Sequence, residues 1–331
     1  MLSIGTTRKK VKRVKMSIMS ILFTALLILF YVLVVEGFSG MDFNNLENWP
    51  GSGLSSGRIW DIGVSWNAIH LGPGTFDFSA LDVVIAQYES FGASITYVVG
   101  GTPLWLAKNP DNPYYAPWLG PGSNSMPYDT DEFNNFITEL AKRYNGRISA
   151  YEIWNEPQLN EFLYPYTESE LNCLATMTQL AYSTIKSLSG AKVLSASVLP
   201  RASSGGMSKA SKYLTAIQSK GWNVDAFNTH IYPEDGQGAE TWGAMLQSCR
   251  DTLSSMGAPT GEVWVTETNF NYPSGPRISE EDAPGLANGA FDQAAAQGVS
   301  IIYWYAWNRE DLGGLLFTQT STAWATVAAH A

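Results

Sequence analysis

The chain has 331 residues, 45% of them hydrophobic and 15% charged, with a formal net charge of −10. Arg8, Lys9, Lys10, Lys12, Arg13 and Lys15 carry six positive charges, with no acid among the first fifteen residues, so the remainder stands near −16. A remainder this acidic repels nucleic acid and anionic lipid, excludes nucleic-acid binding and suits a neutral substrate.

The basic start runs into Met16–Val35, about twenty apolar or small residues, which is long enough to span a bilayer as a helix. Positive charge before the span keeps the start in the cytoplasm and sends the rest of the chain outside. Residues 1–37 are therefore expected to be an uncleaved signal-anchor or a cleaved signal peptide, and residues 38–331 one extracytoplasmic domain, expected to be monomeric. An uncleaved segment would make the membrane a partner. Twelve Trp and sixteen Tyr are more than a core needs and point to a carbohydrate surface. Cys173 and Cys249 fall on or beside separate predicted helices and are expected to be free thiols. The three histidines show no metal-ligand spacing, and neither metal nor cofactor is expected.

From residue 38 on, short apolar runs alternate with longer stretches of helical period, the signature of repeated βα units. Strands are predicted over 38–44, 58–64, 94–100 and 150–155, then over 192–198, 225–231, 262–267 and 300–306. Helices are predicted over 79–91, 130–144, 168–189, 208–220, 239–256, 284–297 and 321–329. The connection 46–57, rich in Gly, Ser and Pro, is expected to hold no helix. Eight strands with intervening helices make this an α/β chain with a (β/α)8 TIM-barrel fold. Two long loops, 101–129 and 158–167, follow strand C-termini, the face on which barrel enzymes build their sites.

Two carboxylates stand at the ends of such strands. Glu156 closes the fourth, in Trp154-Asn155-Glu156-Pro157, and Glu267 the seventh, in Val265-Thr266-Glu267-Thr268. A pair of this kind can cut a glycosidic bond, one member protonating the leaving oxygen and the other attacking the anomeric carbon. Period 2 places Glu152, Trp154 and Glu156 on one strand face, and Val263, Val265 and Glu267 on another. An acid backed by aromatic surface can have its pKa raised and donate a proton near neutral pH, the role expected of Glu156. Asn155 can hydrogen-bond a sugar hydroxyl beside the bond being cut. His230 and Tyr232 share a face at the end of the sixth strand. Arg58 opens the second strand, and a buried charge demands a partner, for which Glu152 is the candidate. Trp307 is expected to form the platform under the cleaved sugar, because aromatic faces match the C–H face of a sugar ring. Trp304, of opposite parity, is expected to pack against helices, and Trp105 to wall the pocket. Tyr114, Tyr115 and Trp118 in the long loop are candidates for further sugar subsites.

Asn155-Glu156-Pro157 ending the fourth strand, with a lone Glu ending the seventh, resembles the pattern of clan A glycoside hydrolases across nearly all of 38–331. Arg58-Ile59-Trp60-Asp61, Gly74-Thr75-Phe76-Asp77-Phe78, Leu81-Asp82, Tyr151 through Pro157 and Tyr303-Trp304-Tyr305-Ala306-Trp307 are most similar to family 39 and its relatives. The resemblance implies a retaining double displacement with Glu156 as acid/base and Glu267 as nucleophile. It also implies that His230 and Tyr232 lie beside the nucleophile, and that a strand-two arginine supports the site. A transglycosidase using the same glutamates, and a non-catalytic carbohydrate-binding barrel, are the competing readings.

Overall fold

The computed structural model describes residues 39–44, 49–50, 54–259, 261–273 and 275–330. The predicted signal or anchor segment lies outside the described residues. Among them, no helix is long and apolar enough to cross a membrane.

Eight parallel strands form the barrel: β1 (Ser39–Phe43), β2 (Ser56–Ile59), β3 (Ser94–Val99), β4 (Ala150–Ile153), β5 (Lys192–Leu194), β6 (Phe227–Ile231), β7 (Val263–Thr268) and β8 (Ile302–Trp307). Their order in the sheet is β5-β4-β3-β2-β1-β8-β7-β6. The two end strands are joined by isolated parallel bridges, Leu194 with Ala226 and Val198 with Thr229, so the ring is nearly closed. The predicted fifth strand, 192–198, thus survives as a short ladder and a bridged extension. Among the described residues, seven helices of seven residues or more lie between and after the strands: α1 (Ser79–Ser90), α2 (Thr130–Arg143), α3 (Glu168–Leu188), α4 (Gly206–Ser219), α5 (Ala239–Ser255), α6 (Ala283–Ala296) and α7 (Thr322–Ala328). The predicted second strand, 58–64, ends instead at Ile59. The chain then makes a single helical turn at Trp66–Ile69 and a small hairpin, His70–Gly72 with Thr75–Phe76, before α1.

Local chemistry explains the helix boundaries. In α2 the Asp129 side chain accepts from the Asp131 N–H, acids fill the first turn and Lys142 and Arg143 the last, in accord with the helix dipole. Its buried face, Phe133, Phe136, Ile137, Leu140 and Ala141, follows the helical period. Cys173 on α3 and Cys249 on α5 are both free.

The barrel interior is layered. Its floor is apolar, formed by Ala150, Leu194, Ala226, Trp264, Ile301 and Tyr303. The Tyr303 hydroxyl reaches Ser56 Oγ at 2.6 Å and Thr96 Oγ1 at 2.8 Å. Above it the filling is charged: the Arg58 guanidinium lies 3.0 Å from Asp42 and 2.8 Å from Glu152. The pair expected between Arg58 and Glu152 is therefore present.

Two substitutions test this packing. A Cβ at Gly57 would overlap the Tyr88 ring, so Gly57→Ala should cost about 1–3 kcal/mol through overpacking, read from urea unfolding. Arg58→Met should cost more, about 3–5 kcal/mol, because it leaves buried acids without their counter-charge. An unfolding midpoint unchanged from the wild type would contradict either expectation.

Candidate active site

The site forms where the regular strands end. Glu267 stands at the end of β7 and, with only 6% of its surface exposed, accepts from Arg58 Nη1 at 2.5 Å and from the Tyr232 hydroxyl at 2.7 Å. Glu156 follows β4, also buried, with Oε1 2.7 Å from His230 Nδ1. The same nitrogen lies 3.4 Å from Glu267 Oε2. Asn155 Oδ1 accepts from Arg58 Nη2 at 2.8 Å, and the Glu156 backbone N–H donates to Ser197 Oγ at 3.0 Å. Glu152, Asn155, Glu156, His230, Tyr232, Glu267 and Arg58 thus form one connected group.

Three departures from strand alternation build this arrangement. Period 2 would set Trp154 beside Glu152 and Glu156, but Trp154 has a positive φ of 83° and Glu156 one of 36°. The Trp154 indole turns to donate to the Phe162 carbonyl at 2.9 Å, while Asn155 joins Glu152 on Arg58. On β7, Thr229 pairs with Val265 and His230 with Glu267, so one extra residue enters the strand. That bulge brings both Thr266 and Glu267 to the interior, whereas Val263 lines an outer cavity with Met207 and Leu253. Val263, Val265 and Glu267 therefore do not share a face. On β8 the register against β1 shifts in the same way, Met41 pairing with Trp304 and Phe43 with Trp307.

The β8 shift decides which aromatics reach the site. Trp304 packs on Phe291 of α6 and on Phe317, as its parity suggests. Trp307 packs outward instead: only 2% exposed, it lies edge-on against Trp324 of α7, 5.0 Å between ring centroids, and beside Phe43. Tyr305 stands toward the carboxylates, close enough for the Glu267 charge to act on its phenol. Its hydroxyl donates to Asp61 Oδ2 at 2.5 Å, and its ring meets Tyr272, which stacks on Tyr232 at 4.7 Å. Asn44 Nδ2 also donates to Asp61, at 2.9 Å. Sequence reasoning missed Tyr305, Asp61 and Asn44 as site residues, although Asp61 closes Arg58-Ile59-Trp60-Asp61, one of the stretches similar to family 39. Trp105 is tied to His70, whose carbonyl accepts from its indole N–H at 2.9 Å. In the long loop Tyr114 and Trp118 are 49% and 59% exposed, Tyr114 edge-on to Tyr164 and Trp118 tilted against Phe162.

Electrostatics separates the two glutamates. Burial pushes Glu156 well above the ordinary carboxyl range, and the charge of Glu267 pushes it further. Burial also pushes Glu267 up, but the Arg58 charge and the Tyr232 hydroxyl oppose it and hold the rise to about 7. Two donors on Glu267 and none of that kind on Glu156 leave a shared proton on Glu156. Burial and the Arg58 charge hold His230 well below its usual range, so it is neutral. Glu156, His230 and Glu267 offer ligand atoms within 4.8 Å of one another, a spacing that could also hold a metal ion. Both Glu267 oxygens are already engaged, and the Arg58 guanidinium beside them opposes a second cation, so the set does not fit that use.

Several solved structures share this fold. A glucosidase from Croceicoccus marinus aligns with a TM-score of 0.60 at 15% identity over 86% of this chain, which spans only 59% of that protein's length. A family 39 glycoside hydrolase from Bacteroides cellulosilyticus WH2 gives 0.60 at 16% identity, covering 89% of this chain and 63% of that one. An endo-1,4-β-D-mannanase from Thermotoga petrophila RKU-1 gives 0.60 at 17% identity, covering 89% and 99%. Identities this low establish likeness of fold alone. No curated protein matches the sequence. Residues 125–320, more than half of the chain, match the family described as Glycosyl hydrolase catalytic core, and that stretch carries both glutamates. The chain belongs to the glycosyl hydrolase catalytic core family.

Proposed function

We propose that the protein is a retaining glycoside hydrolase, with Glu156 as acid/base and Glu267 as nucleophile. The observation that carries this reading is the closeness of the two groups: an oxygen of each lies within 4.8 Å of the other. Retaining enzymes hold their carboxyl groups about 5–5.5 Å apart, whereas inverting enzymes need about 6.5–9.5 Å to admit a water between acid and base.

In the first step Glu156 gives its proton to the glycosidic oxygen while ionised Glu267 attacks the anomeric carbon. Arg58 and the Tyr232 hydroxyl keep Glu267 in the ionised form that attack requires. In the second step Glu156, now a carboxylate, takes a proton from water as that water displaces Glu267. Asn155, on the same side as Glu156, meets a hydroxyl of the bound sugar. The acidic balance of the chain beyond its first fifteen residues supports a neutral poly- or oligosaccharide as substrate. The basic start and apolar stretch of residues 1–35 support action outside the cytoplasm, anchored or released.

Glu267→Ala should abolish turnover, and azide or formate should restore part of it with product of inverted configuration. Glu156→Ala should slow substrates with poor leaving groups by about 10²–10⁴-fold and nearly spare activated aryl glycosides. Full activity in both variants would remove the assignment. Because Glu267 must be ionised and Glu156 protonated, kcat/KM should be bell-shaped in pH. It should fall at low pH as the pair takes up its second proton and at high pH as Glu156 loses its own.

A further inference from the structure

The hydrogen bonds behind Glu156 run in one direction. His230 is fully buried, with Nδ1 2.7 Å from Glu156 Oε1 and Nε2 3.0 Å from Thr266 Oγ1. The Thr266 hydroxyl in turn donates to Asn228 Oδ1 at 2.7 Å. A carbonyl oxygen cannot donate back, and a hydroxyl has one proton, so Thr266 meets His230 Nε2 as an acceptor. The N–H of the neutral imidazole is therefore on Nε2, and Nδ1 presents a bare lone pair. The proton in the short contact between Nδ1 and Glu156 must then belong to Glu156.

We infer that Thr266 and Asn228 are positioning residues for the acid/base: by holding His230 as the Nε2–H tautomer, they keep Glu156 protonated in the resting enzyme. The inference rests on the acid/base reading of Glu156 above. The proton balance of the reaction is unchanged by it. For donation the Glu156 carboxyl turns its O–H from Nδ1 to the leaving oxygen; it loses one proton there and regains one from the attacking water, while His230, Thr266 and Asn228 gain and lose none. Its consequence lies in the second step. A Glu156 carboxylate facing a bare Nδ1 has lost a hydrogen bond, which makes it a stronger base toward that water.

Several charged groups bear on this chain of bonds. On β4 Glu152 lies 3.9 Å from His230 Nε2, and on β7 Glu267 lies 3.4 Å from Nδ1 with Tyr232 on its oxygen. These carboxylates favour a charged ring, whereas burial and Arg58 oppose it and prevail. Asp61 adds negative charge felt at Glu156. Asn228 Nδ2 is buried with no partner among the described residues. An Asn228 amide turned end for end would reverse every bond in the series and place the N–H on Nδ1, donating to an ionised Glu156.

The test begins with the full chain labelled with 15N-histidine, which has only three histidines to assign. Long-range 1H–15N correlations should show His230 protonated at Nε2 and bare at Nδ1 near neutral pH; the opposite tautomer overturns the inference. The second arm compares Thr266→Val with Thr266→Ser. Valine removes the acceptor, frees the ring to donate from Nδ1, and should lower the basic limb of kcat/KM by about one pH unit on substrates with poor leaving groups. Serine, which keeps the hydroxyl, should retain the wild-type profile, and neither variant should move the acidic limb. An unchanged basic limb in Thr266→Val, or an equal shift in Thr266→Ser, also overturns it. Failure of the hydrolase reading would show separately, as a wild type without turnover whose His230 tautomer can still be measured.

Discussion

The structure turns on one guanidinium. Arg58 has five N–H groups, and five bonds leave it: two to Glu152 and one each to Asp42, Asn155 and Glu267. Those partners come from β1, from β4 and the turn after it, and from β7, so a single side chain ties together strands distant in sequence. Burying it without partners would be prohibitive, and burying the three acids without it equally so. The charged layer above the apolar floor exists only as a set. This coupling places fold and chemistry on the same residue, because the strand that carries Arg58 also sets the potential at both glutamates.

The two glutamates share a buried environment, and burial alone would raise both. What differs is the company each keeps. Glu267 receives the guanidinium and a phenol, whereas Glu156 faces a neutral imidazole. A difference in donors of this kind divides one proton between two nearby carboxyls, in keeping with the acid and nucleophile roles we propose for them. The tyrosines around them serve a second purpose. Tyr232, Tyr272 and Tyr305 pack ring to ring, with Leu159, Leu199 and Leu312 against them, and form an apolar collar around the charged centre. The collar supplies the low-dielectric surroundings in which these shifts arise.

Much of this was legible in the residues. The eight strands, the glutamates ending the fourth and seventh, the Arg58–Glu152 pair and the shared face of His230 and Tyr232 all follow from spacing and from the cost of burying charge. Alternation also sent Trp304 correctly toward the helices. The failures sit where the ladder stops being regular. Nothing in the local sequence announces that Trp154 takes a left-handed conformation usually left to glycine or asparagine, or that β7 and β8 each carry a register shift. Each of these exchanges the faces beyond it, and the shift on β8 turns Trp307 outward while Tyr305 keeps the inward parity of Tyr303. Asp61, Asn44, Thr266 and Asn228 escaped notice for a different reason: a single polar residue at a strand end carries no pattern until its partner across the barrel is known.

These irregularities achieve something a regular strand cannot. In an ideal strand adjacent side chains point to opposite sides of the sheet. Here Asn155 and Glu156 turn to the same side, and so do Thr266 and Glu267. In each pair one residue is the carboxylate and its neighbour braces the opposite part of the site, Asn155 through Arg58 and Thr266 through His230. The conformations at Trp154 and Glu156 cost about 1–3 kcal/mol each. They persist because the Trp154 indole, the Asn155 amide and the Glu156 N–H are each held by a bond to another segment. Strain is concentrated where two functional groups must occupy consecutive positions, and the regular lower barrel provides the rigid frame that keeps it there.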